Sequence, residues 1–325
     1  MIPCCTYLLP IRRVSVSMVE LADFANYFQM LAEAGCEVLV VDGSPPDVFA
    51  ENERVWGKLC RHVTVDPQYP YLNGKVNGIH TGVALTDCER IIVGDDDIRY
   101  TPDNVARMVA MLEQYELVRP QNYFKPLPWW GRLEAARMLL NRGILPTGDY
   151  PGTCGFRRST MLRVGHYDGD VLFDNEEMVR HFAVKGASIG YATDFFIQKL
   201  PPTLQKWWEQ RPRQAYEDFV MRFKTALFLA LIPAGILLAW LWGTKAALGY
   251  GLGVAIASIL IAFKGRSGAE PFFPINICFF APLWVMERSL SVYWAVYWWL
   301  VHKGYPFGDK VIAKGTGRDW IAGAR

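Results

Sequence analysis

The sequence predicts an open α/β sheet domain that gives way, near residue 225, to membrane helices. Three observations predict it. Apolar, β-branched runs alternate with segments of helical period through the first two-thirds of the chain; two of those runs end in carboxylates; and the last third holds two long uncharged stretches.

The elements follow in order. Residues 4–9 (CCTYLL) are an apolar run closed by Pro10, with Arg12 and Arg13 in the loop beyond, which reads as a buried strand entering a turn. Val19, Leu21, Phe24, Tyr27, Phe28 and Leu31 recur at helical spacing over 17–34, and Gly35 supplies the stop. EVLVVDGS is the next strand, ending in Asp42, so strand, helix and strand form a βαβ unit with parallel strands. A helix over 46–60, a short strand HVTV at 62–65 and a helix over 75–86 repeat the pattern. ERIIVGDDD then ends another strand in Asp95, Asp96 and Asp97. Ligands of open α/β sheets sit beyond the carboxyl ends of the strands, and Asp42 and the Asp95–Asp97 cluster both fall there. Residues 120–152 read as a loop followed by an aromatic helix lying over the sheet edge, and 153–191 as mixed structure holding the acidic helix FDNEEMVRHF.

Thr225–Gly243 carries no charge and at helical rise covers about 30 Å, the thickness of a bilayer core. Ala246–Phe263 is a second such stretch, rich in small residues that let helices pack closely. The region 272–301 holds Pro274, Pro282 and a central Glu287–Arg288 pair. Charge at the bilayer centre is costly, which favours an interfacial or re-entrant helix over a third span. Arg211, Arg213, Arg222 and Lys224 precede the first span, whereas Lys245 alone follows it, so the positive-inside bias puts the first domain in the cytoplasm. The expected division is a domain over 1–224, a membrane region over 225–303 (spans 225–243 and 246–263, with an interfacial or third segment over 272–301) and a cytoplasmic tail over 304–325.

Composition excludes several classes. A net charge of +2 is too small to argue for nucleic acid. Seven scattered cysteines without a C-x-x-C pair fit buried thiols in a reducing compartment, and Met-Ile-Pro-Cys-Cys lacks the form of a secretory signal. The five histidines show no metal-ligand spacing, and neither a phosphate-binding G-x-x-x-x-G-K-[ST] loop nor a G-x-S-x-G elbow occurs.

The chemistry concentrates in Asp95-Asp96-Asp97. Adjacent carboxylates repel one another unless a cation joins them, and a hard divalent ion takes such oxygen ligands. Asp95 and Asp97, two apart, can turn toward one ion while Asp96 faces elsewhere. A solvated acidic turn before an N-capping Thr101-Pro102 is the alternative.

In context these segments resemble family-2 glycosyltransferases of the GT-A fold, over nearly the whole chain. YLLPIRR resembles their first strand and nucleotide-contacting loop, which implies donor contacts at Pro10 and Arg12. VVDGS is similar to the second strand, implying a base contact at Asp42. NGKVNG resembles the Gly-Lys segment, implying a phosphate or base contact at Lys75. VGDDDI resembles the Asp-x-Asp motif, implying that Asp95 and Asp97 hold Mg²⁺ or Mn²⁺ with Asp96 beside the donor. FDNEEMVRHF is similar to the acidic motif carrying the catalytic base, which falls on Glu177, with Glu176 and Asp174 as alternatives. QRPRQ resembles the Gln-x-x-Arg-Trp motif of membrane-bound members, with Gln210 and Arg213 kept and Gln214 in place of the tryptophan; Trp207 and Trp208 would supply a stacking surface for the acceptor. Arg211 and Arg213 also read as lipid-headgroup anchors.

The resemblance implies an inverting, metal-dependent transfer of sugar from a UDP- or GDP-sugar to a lipid or lipid-linked acceptor at the cytoplasmic face. A polysaccharide synthase, a nucleotidyltransferase and a non-catalytic membrane scaffold are the alternatives.

Overall fold

The structure is a computed structural model describing residues 4–308 and 310–316. Met1–Pro3, part of the N-terminal segment read above as lacking a secretory signal, and the last nine residues of the expected 304–325 tail lie outside the described residues. The described chain divides into two compact units, one of 4–120 and 151–199, the other of 121–150 and 200–316. This boundary differs from the one expected at 224/225: the 121–150 and 200–224 segments group with the apolar helices.

The first unit is built on a mixed sheet. Strand β1 (Cys5–Ile11) is buried along its whole length. Helix α1 (Met18–Glu33) starts at Ser17, whose hydroxyl accepts the Glu20 N–H, and buries Leu21, Phe24, Tyr27, Phe28 and Leu31 of the periodic set seen in the sequence, while Val19, in the first turn, is exposed. Strand β2 (Cys36–Asp42), helix α2 (Pro46–Trp56), strand β3 (Arg61–Thr64), helix α3 (Gly74–Leu85) and strand β4 (Arg90–Gly94) complete the alternation. Next come β5 (Ile98–Arg99), α4 (Pro102–Met111) behind a Thr101/Asn104 capping box, and β6 (Leu117–Phe124). After α5 (Trp129–Ile144) the chain forms β7 (Thr153–Arg157), α6 (Arg158–Val164), α7 (Asp174–Val184) and β8 (Ile189–Lys199). The strand order is β3-β2-β1-β4-β7-β6-β8-β5, with β3, β2, β1 and β4 parallel and β7 antiparallel to both β4 and β6. Strand β4 stops at Gly94, so the three aspartates occupy the turn beyond it.

Two expectations change in this unit. Residues 120–124, read as loop, belong to β6: LVRPQNYF hides its strand character behind polar residues that find buried partners, such as Arg119 with Glu176 at 3.1 Å. Nor are all cysteines free thiols. Cys4 and Cys88 form a disulfide across 84 residues, because β1 pairs with β4 in a register that sets Cys5 opposite Arg90. Spacing in the sequence carries no trace of that proximity.

The second unit contains the end of β6, then α5, α8 (Leu204–Glu217), α9 (Arg222–Trp242), α10 (Thr244–Arg266), α11 (Ala281–Tyr297) and a hairpin of β9 (Tyr305–Phe307) with β10 (Lys310–Ile312). Helices α9 and α10 are long and apolar enough to cross a membrane, and little of either is buried. Gly243, at φ +82, is the only residue between them, a conformation glycine adopts without penalty. Helix α5 packs along α10, where Gly143 and Gly265 bring the backbones together: a Cβ on Gly143 would collide with Ile261, one on Gly265 with the Leu139 carbonyl. In the third apolar region a 3₁₀ segment (Ile275–Phe280) precedes α11. Its charged pair faces protein: Arg288 is buried, 3.2 Å from Asp218 and 3.3 Å from Gln214, and Glu287 lies 4.0 Å from Arg211. Exposed Trp294, Tyr297 and Trp299 extend beyond them.

Candidate active site

Strand ends and helix starts of the first unit bring its charged side chains together. The Asp95–Asp97 turn is held by backbone bonds from Asp95 N–H to the Gly152 carbonyl (3.1 Å) and from Ile98 N–H to the Asp95 carbonyl (3.0 Å). Asn73 caps α3 by accepting the Lys75 N–H, and its own amide donates to the Val171 carbonyl. Leu72 N–H donates to Asp170, so the segments leading to Lys75 and to α7 are tied side by side.

Lys75 thus bridges two carboxylates. Its Nζ lies 2.5 Å from Asp95 Oδ1 and 2.9 Å from Asp174 Oδ2, and donates to Asn175 Oδ1 at 2.8 Å. Burial works against its charge, but Asp174 and Asp95 more than offset it and push the ammonium pKa up. The other two aspartates also have cations. Asp96 meets Arg13 of the β1–α1 loop at 2.7 Å, and Asp97 meets Lys199 at the end of β8, at 3.3 Å. The mutual repulsion expected from the sequence is therefore relieved carboxylate by carboxylate.

A divalent ion still fits the residues present. Asp97 Oδ1 is buried and accepts no hydrogen bond. Burial, opposed by Lys199 and reinforced by Asp95 and Asp96, pushes the Asp97 carboxyl up to about 6. Hard carboxylate oxygens suit Mg²⁺ or Mn²⁺. Gly152 leaves room here, since a Cβ at that position would stand 2.6 Å from Asp95 Oδ2 and 2.9 Å from Lys199 Nζ. Among the described residues no group of three or more His, Cys, Asp and Glu side chains is arranged as a metal cage.

The acidic helix gives its three carboxylates different partners. Asp174, the first residue of α7, is the carboxylate that reaches the cluster. Glu177 is fully buried and ion-paired with Arg180, its Oε2 accepting from Nε at 2.8 Å. Glu176 is buried against Arg119. At helical spacing, Asp174 leaves the helix start toward the strand ends while the two glutamates turn into the protein.

The remaining predicted residues have other surroundings. Asp42 is 1% exposed; it accepts from Ser44 N–H (2.8 Å) and Asn52 Nδ2 (2.8 Å) and pairs with His62 Nε2 (3.1 Å). Burial works against its charge, but these bonds more than offset it and hold the carboxyl below its usual range. It organises the β2–α2 turn instead of presenting an open carboxylate to a base. Pro10 is buried within β1, where it meets Gly78 of α3, whereas Arg12 is exposed. A small cleft nearby is lined by Arg13, Ser15, Ser17, Phe24, Asn52 and Trp56.

Gln210, Arg213, Trp207 and Trp208 all lie on α8 in the second unit. Arg213 pairs with Glu217 at 2.9 Å and stacks over Phe307. Trp207 is buried beneath Arg211, and Trp208 is 58% exposed. Arg211, read as a headgroup anchor, is instead buried 2.7 Å from Glu134. Sequence reasoning missed Lys199 and passed over Arg13. Arg13 lies in the loop already singled out; Lys199 carries no motif, only a lysine closing a strand before two prolines.

No protein-family model matches the chain, and no curated protein matches it. Among solved structures it is similar to a mannosyltransferase from Pyrobaculum calidifontis in complex with GDP-Man and Mn²⁺, at 17% identity over 89% of this chain and 87% of that one, with a TM-score of 0.51. A glucosyl-3-phosphoglycerate synthase from Mycobacterium tuberculosis, in complex with Mn²⁺, UDP and phosphoglyceric acid, matches 63% of this chain and 72% of its own at 17% identity, with a TM-score of 0.40. The likeness to the mannosyltransferase is one of fold: the chain has a mixed α/β sheet resembling that of a glycosyltransferase.

Proposed function

We propose that this protein is a metal-dependent, inverting glycosyltransferase of the GT-A kind that moves a sugar from a nucleoside-diphosphate donor to a membrane-associated, lipid or lipid-linked acceptor. The observation that carries the reading is Lys75 joining Asp95, at the end of β4, to Asp174, at the start of α7. That arrangement puts carboxylates and a fixed ammonium together beyond the parallel strand ends of a glycosyltransferase-like sheet, where open α/β folds bind ligands.

A divalent ion held by Asp97 and Asp95 would neutralise the charge of the departing nucleoside diphosphate. Lys75, already protonated and held by three acceptors, stabilises negative charge without having to be reoriented. Asp174 is the proposed base: its carboxylate takes the proton of the attacking acceptor hydroxyl as the bond to the anomeric carbon forms. A single displacement with the base opposite the leaving group inverts the configuration. Glu176 ties α7 to Arg119 of β6, and Glu177 pairs within the helix with Arg180. The exposed apolar helices α9 and α10 support a membrane-associated acceptor, and the excess of Arg and Lys before α9 over the lone Lys245 after it supports a catalytic unit on the cytoplasmic side.

The test is a screen of UDP- and GDP-sugars with Mn²⁺ or Mg²⁺, scoring nucleoside diphosphate release with membrane lipid extract as acceptor. One donor should give release that EDTA stops and Asp97→Ala abolishes. Release of pyrophosphate instead, or nucleotide-sugar binding indifferent to EDTA, would overturn the reading.

A further inference from the structure

Lys199 is the charged neighbour of the acidic turn that no motif foretold. The antiparallel register of β5 and β8 sets Lys199 opposite Ile98, which fixes it beside Asp97. Its Nζ lies 3.3 Å from Asp97 Oδ2, and the bare Cα of Gly152 lets it approach Asp95 Oδ2 as well. We infer that Lys199 is a resident cation on the metal-binding carboxylates, which a divalent ion must displace, so that this residue sets how tightly the protein holds the metal. The inference rests on the glycosyltransferase reading for the identity of the site.

Three features separate Lys199 from Lys75. Lys75 is anchored by Asp95, Asp174 and Asn175 together, whereas Lys199 makes one ion pair within 4 Å among the described residues, with Asp97. The orphaned oxygen belongs to Asp97, the carboxylate that Lys199 occupies on one side only. Lys199 also ends its strand, before Leu200-Pro201-Pro202, so its side chain can swing away while the sheet stays intact. An ammonium and a divalent ion within a few ångströms repel strongly at the effective dielectric of a protein surface. Removing the charge therefore tightens the metal.

The experiment titrates the full chain in detergent with Mn²⁺, reading free Mn²⁺ by electron paramagnetic resonance, first alone and then with UDP or GDP. Lys199→Met should bind Mn²⁺ alone at least about tenfold more tightly than wild type, Lys199→Gln should do the same, and Lys199→Arg should stay at the wild-type affinity; circular dichroism confirms that each is folded. If wild type binds Mn²⁺ and Asp97→Ala does not, yet both neutral variants bind no more tightly than wild type, Lys199 is not the competitor although the metal site stands. If no form binds Mn²⁺, with or without nucleotide, the metal-dependent reading falls and this inference with it.

Discussion

Ion-pair partners separate two kinds of carboxylate on α7. Asp174 faces a lysine shared with the β4 turn, while Glu177 and Glu176 are sealed with arginines. Substitution should sort them. Asp174→Asn should lower turnover by roughly 10²- to 10⁴-fold while leaving nucleotide binding in place, as removal of a general base does. Glu177→Gln should instead cost about 1–3 kcal/mol of stability, because it weakens the charge-assisted bond between the buried Glu177 and the half-buried Arg180. Thermal melts beside single-turnover rates tell the two apart, and a Glu177→Gln protein with native stability and no turnover would return the base to that position.

His80 makes a second prediction at this scale. It is buried among Tyr69, His166 and Tyr167, its Nε2 has no partner, and burial followed by His166 and His181 lowers its pKa to about 3. Above pH 6.5 both folded and unfolded chains keep this imidazole neutral. Below it the unfolded chain takes up a proton that the folded chain refuses, so stability falls down to about pH 3. The slope reaches about 1.4 kcal/mol per pH unit. Urea midpoints measured from pH 7 to 4 should decline, and His80→Phe should flatten that decline; an unchanged slope would remove His80 from the account.

Among the elements, the contact of α5 with α10 is the most sensitive to a single methyl group. Gly265 faces the Leu139 carbonyl with no space for a Cβ. Gly265→Ala should force the helices apart and destabilise the detergent-solubilised protein by about 1–3 kcal/mol, seen as an earlier thermal transition. The same change at Gly249, where a Cβ would meet nothing within 4 Å, should leave the transition in place. Strand pairing has a counterpart in the Cys4–Cys88 disulfide. Closing a loop of that length is worth up to about 4.6 kcal/mol in the chain-entropy account. Dithiothreitol should therefore lower the melting temperature of wild type but not of Cys88→Ser.

At the scale of the whole molecule, two compact units divide the work differently from the linear order. The carboxylates and lysines of the candidate site lie in one unit, while the other gathers α5, α8 and the apolar helices around buried ion pairs. Helices α9 and α10 are expected to cross the bilayer as a hairpin. Alkaline carbonate should then leave the protein in the membrane pellet, and an epitope inserted at Gly243 should lie on the opposite side from an N-terminal one. Release by carbonate, or both epitopes on one side, would make these helices surface-bound.

Periodicity and composition alone settled what depends on local chemistry. The strand–helix alternation, the carboxylates at the ends of β2 and β4, the helical face of α1 and the two apolar helices all follow from side-chain spacing, because each element must bury one face. Tertiary structure decided everything that pairs residues distant in the chain. It gave Asp42 to a turn, closed Cys4 onto Cys88, turned Asp174 toward Lys75 and Glu177 toward Arg180, and set Lys199 beside Asp97. Such pairings come from strand register and helix packing, which no local pattern of residues encodes.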